Sequence, residues 1–264
     1  MIGAGAWGTA LAQTAAEGGE VLLWARDPEV VEAVNATRAN PNYLSGVPLS
    51  ERIRATDTLS DLAACDTPLV VTPAQFVRGV LARAPAGPAL VLCSKGIEAE
   101  TGLLMTEVAA QVRPEAAIAV LSGPSFAHEV AAGKPTALTL ACDDEGVGVA
   151  VAKRLARPAF RLYRSPDTIG AEIGGAVKNV LAIACGVVCG LGLGENARAA
   201  LISRGFAEMS RFGVARGARP ETLAGLSGLG DLVLTCSSES SRNFSLGVGP
   251  VSYTHLTLPT ILRV

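Results

Sequence analysis

Over roughly its first 160 residues the chain alternates short apolar runs with helical periods, and beyond that point only helical periods remain. Residues 20–25, 69–72, 89–93, 116–121 and 136–141 each read as a short buried strand closed by turn residues. Helices are predicted between them over 28–38, from after Pro73 to about Ala84, over 102–111 and over 147–156. Such alternation predicts a doubly wound, mostly parallel α/β sheet of the Rossmann-like kind. At Pro166–Asp167 the pattern changes to helical periods over 170–190 and 196–217, which predicts an all-α second domain. The expected division is 1–165 for the α/β domain and 166–249 for the helical one. Residues 250–264 alternate like a strand with no partner in a helical domain and are expected to be an atypical, non-native tail. Residues 225–236 read as a glycine-rich turn feeding a short helix or extended piece, and 237–243 as a polar loop.

The run 170–194 contains a single cation, Lys178, among small and apolar residues. Apolar side chains at 173, 177, 180, 181, 184, 188 and 191 predict a helix buried on most sides. Burial there would draw a lysine pKa down from about 10.4 towards neutrality, where an ammonium can release and retake a proton. The alternative is a lysine that snorkels out of a core helix. Mean hydropathy is +0.38, which raises the question of a membrane span. The run 180–194 falls short of the ~20 apolar residues a span needs, and extending it backwards meets Asn179, Lys178 and Glu172.

Charge narrows the partners. Lys and Arg total 22 against 24 Asp and Glu, without a run of five like charges, so nucleic acid is not indicated and small molecules are. Six scattered cysteines form no CxxC pair, and His128 and His255 are the only histidines, so no metal site is predicted. No secretory leader pattern opens the chain; a cytoplasmic protein with reduced thiols is expected. Cys185 and Cys189 share a helix face at i,i+4 and read as core rather than as a redox pair.

Candidate chemistry begins with Gly3, Gly5 and Gly8, a GxGxxG followed by an alanine-rich helix. Glycines at this spacing allow a tight turn and let backbone amides and the helix N-terminus approach a pyrophosphate. Only Met1 and Ile2 precede the loop, so the first strand, central in this fold, is expected to be shortened. Arg26 and Asp27 follow the second strand about 20 residues beyond the loop, where the adenosine ribose is read. Arg26 would suit a 2′-phosphate and Asp27 a free 2′-hydroxyl, so NADP is favoured with NAD tolerated; an exposed loop charge is the other reading of Arg26. Lys95 lies at a strand end, where open α/β sheets bind ligands. Ser241, Arg242 and Asn243 read either as a phosphate cradle or as a solvated loop.

Eight ordered segments together resemble one family. They are GAGAWGTALA (3–12), NPNYLSGVPL (40–49), SKGIEAETG (94–102), LSGPSFAHEVAAGKPTA (121–137), GGAVKNVLAIACG (174–186), NARAALISRGFAEMSR (196–211), GLSGLGDLVLTC (225–236) and SRN (241–243). Over residues 2–247 the chain resembles the bacterial NAD(P)-dependent glycerol-3-phosphate dehydrogenases. The resemblance implies reversible hydride transfer between NAD(P)H and dihydroxyacetone phosphate, giving sn-glycerol 3-phosphate for phospholipid synthesis. It implies Lys178 as the proton acceptor in oxidation, with Asn179 beside the substrate and Lys95 touching substrate and cofactor. Gly123 and Ser125 are implied substrate contacts and Ala127 a cofactor contact. Asp231, Ser241, Arg242 and Asn243 match substrate-site positions, Arg242 also reaching the cofactor, while Ala6, Trp7 and Arg26 match cofactor positions. Ketone reduction needs a hydride and one positioned acid, so no metal is required; Lys178 would be that acid, with Asp231 orienting it.

The family runs past 300 residues, so the chain is expected to be truncated at both ends, with apolar faces left bare and His255 playing no catalytic part. Two rivals follow: a non-catalytic NAD(P)-binding fragment, and a relative of the 6-phosphogluconate and β-hydroxyacid dehydrogenases. The latter space their lysine and asparagine four apart, whereas Lys178 and Asn179 are adjacent. A homodimer is left open as the assembly.

Overall fold

The computed structural model describes residues 1–252; of the tail, residues 253–264, His255 among them, lie outside the described residues. Two residues hold the middle of the sheet. Ile2 pairs in parallel with Trp24 on one side and Val70 on the other, and Trp24 N donates to Met1 O at 2.8 Å while Val71 N donates to Ile2 O at 2.8 Å. They join β1 (Val21–Trp24) and β2 (Ile53–Thr56) to a five-stranded run of β3 (Leu69–Val70), β4 (Ala89–Leu92), β5 (Ala117–Ser122), β6 (Thr136–Cys142) and β7 (Phe160–Ser165). Neighbouring strands are parallel except β5 and β6, which are antiparallel.

Around the sheet lie α1 (Ala6–Ala16), α2 (Pro28–Thr37), α3 (Val77–Arg83), α4 (Met105–Val112), α5 (Ala127–Ala131) and α6 (Glu145–Leu155). The continuous apolar run of β4 follows from burial on both faces: Val91 joins a core with Leu11, Leu23 and Leu121, while Leu90 and Leu92 join another with Val77, Leu81 and Met105. Local caps set the helix starts. Asp27 accepts from Glu29 N with Pro28 at the first position of α2, and Asp144 accepts from Val147 N to open α6.

The two unpredicted strands, β2 and β7, have physical reasons for being hard to read. β2 is four residues long and includes an exposed arginine, and it is fixed from outside by Asn35, whose side chain exchanges bonds with Ala55 N and Ala55 O. β7 is an edge strand with only Phe160 buried, so its period-2 signal is thin.

The helical half comprises α7 (Thr168–Gly190), α8 (Gly194–Ala215), α9 (Pro220–Leu223), a π-helical turn at Leu226–Gly230, α10 (Asp231–Cys236) and α11 (Arg242–Ser252). Its core gathers Ile173, Ala182, Cys185, Leu223, Leu232 and Phe244 around α7. Each leucine of that set, fully buried, contributes about 1.5–3 kcal/mol. Glycines bring the neighbours to backbone contact. A Cβ at Gly174 would lie 2.0 Å from Ser227 O, and Cβ atoms at Gly186 and Gly247 would lie 2.0 Å from Phe244 O and Ile183 O respectively.

The expectation that α7 is buried on most sides is corrected. Val180 is 69% exposed and Leu191, just past the end of the helix, 56% exposed, because the elements that cover α7 dock on its glycine faces and leave part of its circumference open. With 23 residues α7 is long and apolar enough to cross a membrane by length and composition. In the fold its N-terminal half is instead hidden under the sheet, the π turn and α10.

Candidate active site

The ends of Ile2, β4 and β5 lie on one edge of the sheet, since those strands are parallel. The chain leaving each end supplies a different part of the site: Gly3–Gly8 after Ile2, Lys95 after β4 and Gly123 after β5.

In the glycine loop each glycine has its own reason. Gly3 has φ +116°, a region open to glycine, and lies against the Val71 carbonyl. A Cβ on Gly8 would fall 1.9 Å from Gly3 O, so the helix can start this close to the loop only without a side chain there. A Cβ on Gly5 would meet nothing within 4 Å, which leaves an open approach to the N-terminus of α1. That end has no side-chain cap and no acidic residue in its first turn, so its amides and dipole are available to an anion. Ala6 and Trp7 form the half-buried first turn. These features fit a dinucleotide pyrophosphate. Arg26 is exposed just past β1, while the neighbouring Asp27 carboxylate is committed to capping α2.

Farther along the same edge, three charges meet. Lys178 reaches from α7 to Asp231 Oδ1 at 2.6 Å, and Lys95 Nζ reaches Asp231 Oδ2 at 2.5 Å. Asp231 is fully buried and opens α10 directly after the π turn; Thr235 Oγ1 donates to its carbonyl at 2.6 Å. Lys95 Nζ also points at Gly123 O, 3.5 Å away. Burial, then repulsion from Lys95, pull the Lys178 ammonium down to about 7, against the opposing pull of Asp231. The snorkelling alternative is thereby set aside, because Lys178 is itself buried and its head group is ion-paired inside.

The remaining predicted residues divide into neighbours and outliers. Asn243 Nδ2 donates to Asn179 Oδ1 at 2.8 Å, which joins α11 to the residue beside Lys178. Ser125 Oγ donates to Gly123 O at 3.2 Å, and Ala127 opens α5 against the core around α1. Ser241, Arg242 and Asn243 do not lie on a loop: Ser241 Oγ accepts from Phe244 N at 3.2 Å and caps α11, whose first residues are Arg242 and Asn243. Packing of Gly247 on α7 decides this helix, a contact with no local sequence signal. Arg242 and Arg26 are exposed, and neither makes a hydrogen bond to the lysine pair or to Asp231.

Three further residues border the pair. The Lys95 stem crosses α7 over Gly175, where a Cβ would come within 3.1 Å of its Cγ and Cδ and 3.3 Å of Ser122 Oγ. Ser122 Oγ is buried without a hydrogen-bond partner. Thr235 lies one helical turn beyond Asp231. Only the Gly-Gly pair before Lys178 was a signal for any of them. Two turns before Lys178, Glu172 is buried and accepts from Thr106 N at 3.0 Å and Thr106 Oγ1 at 2.5 Å, which fastens α7 to the start of α4. A cleft of ≈ 690 Å³ lined by Thr106, Glu107, Asp144 and Arg216 contains none of the predicted site residues.

Comparison with known proteins gives consistent matches. Family models described as the N-terminus and C-terminus of NAD-dependent glycerol-3-phosphate dehydrogenase match residues 1–147 and 167–258. A glycerol-3-phosphate dehydrogenase [NAD(P)+] of Erythrobacter litoralis is 66% identical over 249 residues, 94% of this chain and 76% of that protein. One from Zymomonas mobilis is 58% identical over 94% of this chain and 73% of its own length. The crystal structure of glycerol-3-phosphate dehydrogenase from Coxiella burnetii superposes with a TM-score of 0.94 at 39% identity, covering 99% of this chain and 82% of that one. The Plasmodium falciparum enzyme superposes with a TM-score of 0.87 at 25% identity, covering 96% and 76%. These matches set aside the 6-phosphogluconate and β-hydroxyacid alternative.

Burial raises the Glu172 carboxyl to about 7. Between pH 4.5, its ordinary value, and 7 the folded chain therefore holds a proton that the unfolded chain has lost, so this group's contribution to stability falls as pH rises through that window. Glu172→Gln is expected to flatten the pH dependence of unfolding free energy between those values, as measured by urea denaturation at a series of pH values.

Proposed function

The chain belongs to the NAD-dependent glycerol-3-phosphate dehydrogenase family, and from that premise we propose that Lys178 is the acid and base of its reaction, held in place by Asp231 and Lys95. The reaction is hydride transfer between NAD(P)H and dihydroxyacetone phosphate, giving sn-glycerol 3-phosphate. The carboxylate shared between two lysines carries the reading, because it puts a near-neutral ammonium and a second cation side by side at the mouth of the sheet edge.

When bound, NAD(P)H supplies the hydride. Lys178 Nζ gives its proton to the carbonyl oxygen as that oxygen becomes a hydroxyl, and is left as a neutral amine. Lys95 keeps a positive charge beside the developing alkoxide, and Asp231 fixes the spacing of both lysines. In the oxidation direction the neutral Lys178 amine takes the hydroxyl proton. Asn179 and Asn243 flank the reacting end. Ser241 and Arg242 sit at the start of α11, where a helix N-terminus and a guanidinium suit the substrate phosphate. Gly123 and Ser125 line the substrate side and Ala127 the cofactor side.

Gly3, Gly5, Ala6, Trp7 and Gly8 hold the cofactor pyrophosphate, and Arg26 favours NADP over NAD. Residues 1–165 and 166–249 act as cofactor and substrate domains. Six free thiols suit the reducing cytoplasm.

Lys178→Ala is expected to lower turnover about 10²- to 10⁴-fold, the usual worth of a general acid, with NADPH affinity retained. In the unmodified chain the rate of reduction should fall, and that of oxidation rise, as pH climbs through about 7. Steady-state assays in both directions check this. Turnover unchanged in the variant would remove Lys178 from the chemistry, and NADPH binding without turnover in the parent chain would favour the non-catalytic reading.

For the loop, Gly8→Ala should lower the unfolding temperature, whereas Gly5→Val should leave it unchanged and abolish NADPH binding, since its side chain would fill the open approach. Calorimetry and NADPH fluorescence titration separate the two effects. Arg26→Ala should raise the KM for NADPH and leave that for NADH unchanged; an unaltered ratio of the two would contradict the 2′-phosphate role.

A further inference from the structure

The segment NPNYLSGVPL, residues 40–49, supplies none of the candidate site residues, yet its first residue is hydrogen-bonded to the glycine loop. Asn40 is fully buried. Its amide nitrogen donates to Ala4 O at 2.9 Å and to Thr9 Oγ1 at 2.9 Å. Its amide oxygen accepts from Asn42 N at 3.2 Å and Tyr43 N at 3.1 Å. All four hydrogen-bonding positions of the side chain are thus used, two on the glycine loop and its helix and two on the segment's own turn.

We propose that Asn40 is a positioning residue for the cofactor, bracing the glycine loop from behind so that its amides face the pyrophosphate before the cofactor arrives. One peptide plane links Asn40 to the loop amide. Ala4 C=O and Gly5 N–H belong to the same trans peptide and point in opposite directions. Fixing Ala4 O towards Asn40 and Thr9, which also donates to it at 3.3 Å, aims Gly5 N–H the other way. Were that peptide to flip, a carbonyl oxygen would take the amide's direction. Gly5 itself offers no side chain to prevent the flip, so the restraint must come from elsewhere.

The brace is fastened in its turn. Ser50 N donates to Gln13 Oε1 of α1 at 2.9 Å, and Leu49 N donates to Arg38 O at 2.7 Å. Arg38 and Leu44 adopt φ of 55° and 60°, left-handed values unusual for such residues, which persist only where surrounding contacts fix the path of the chain. Those contacts bring Asn40, 36 residues away in sequence, behind the loop. A loop already ordered loses less freedom on binding, so the brace acts on cofactor affinity and leaves the proton chemistry at Lys178 alone.

This inference rests on the reading of Gly3–Gly8 as the pyrophosphate cradle, and the test separates the two. NADPH dissociation constants are measured by fluorescence titration, and kcat with the KM for dihydroxyacetone phosphate at saturating NADPH. Asn40→Ala is expected to raise the NADPH Kd about tenfold, and Thr9→Val, which keeps the shape and removes the hydroxyl, about threefold, with kcat and the substrate KM within about twofold of the parent. Asn35→Ala is the structural control: Asn35 ties α2 to β2 through Ala55 and does not touch the loop, so it should lower the unfolding temperature without moving Kd.

An Asn40→Ala Kd within about twofold of the parent, or an equal shift from Asn35→Ala, overturns the proposal. Should Asn40→Ala fail to fold, an unchanged Kd in Thr9→Val overturns it. Gly5→Val binding NADPH like the parent would overturn the cradle reading and this inference with it. Loss of binding in Gly5→Val alongside normal binding in Asn40→Ala would overturn this inference alone.

Discussion

Asp231 gives each of its two oxygens to a different lysine, one on the central helix of the helical half and one at the edge of the sheet, and the two halves of the molecule are set against each other by that division. Two ammonium groups that share one carboxylate, Lys178 buried and Lys95 partly so, repel. At an effective dielectric near 20, unit charges 4 Å apart interact by about 4 kcal/mol, which is comparable with a sizeable part of a domain's net stability. One carboxylate between them removes most of that repulsion without cancelling it, since the cluster keeps one net positive charge. Burial and the residual repulsion then outweigh the ion pair at Lys178, and its ammonium ends near neutrality. Geometry and protonation are therefore one constraint: anything that moves Asp231 changes both.

The supporting structure is arranged to hold that carboxylate still. Gly174 lets the π turn come to backbone contact with α7, and Asp231 follows that turn directly. The next residue, Gly175, lets the Lys95 stem lie across the same helix. The glycine loop beside Ile2 and the Lys178 head group on α7 thus belong to different halves of the chain.

Much of this was legible one residue at a time and little of it pairwise. A single cation in a run of small and apolar residues marks a lysine on a core helix, and the glycine spacing marks a tight turn that opens a helix, because both signals are local. The sharing of Asp231 is not local: its partners lie 53 and 136 residues away in sequence. The polar run Ser237–Ser241 predicts a loop at the start of α11, while the helix depends on Gly247 meeting α7. The bare side of α7 is hidden from the sequence for a related reason. Apolar residues all round a helix say that it can be buried everywhere, and only the arrangement of its neighbours says where it is. Asn40 shows the limit most plainly, since an asparagine in a polar segment looks like any other turn residue until its four bonds are traced.

The glycines of α7 bear on how such an enzyme could be made hardier. Each glycine inside a helix costs about 1 kcal/mol relative to alanine, so a 23-residue helix containing several would look like the first place to engineer thermostability. That route is closed here: at Gly170, Gly174 and Gly186 an added methyl would fall within 2.2 Å of the Asp167 carboxylate, Ser227 O and Phe244 O, and at Gly175 it would crowd the Lys95 stem. The helix is intrinsically weak because its partners occupy the space its side chains would have filled, and gains in robustness have to be sought on elements that do not touch it.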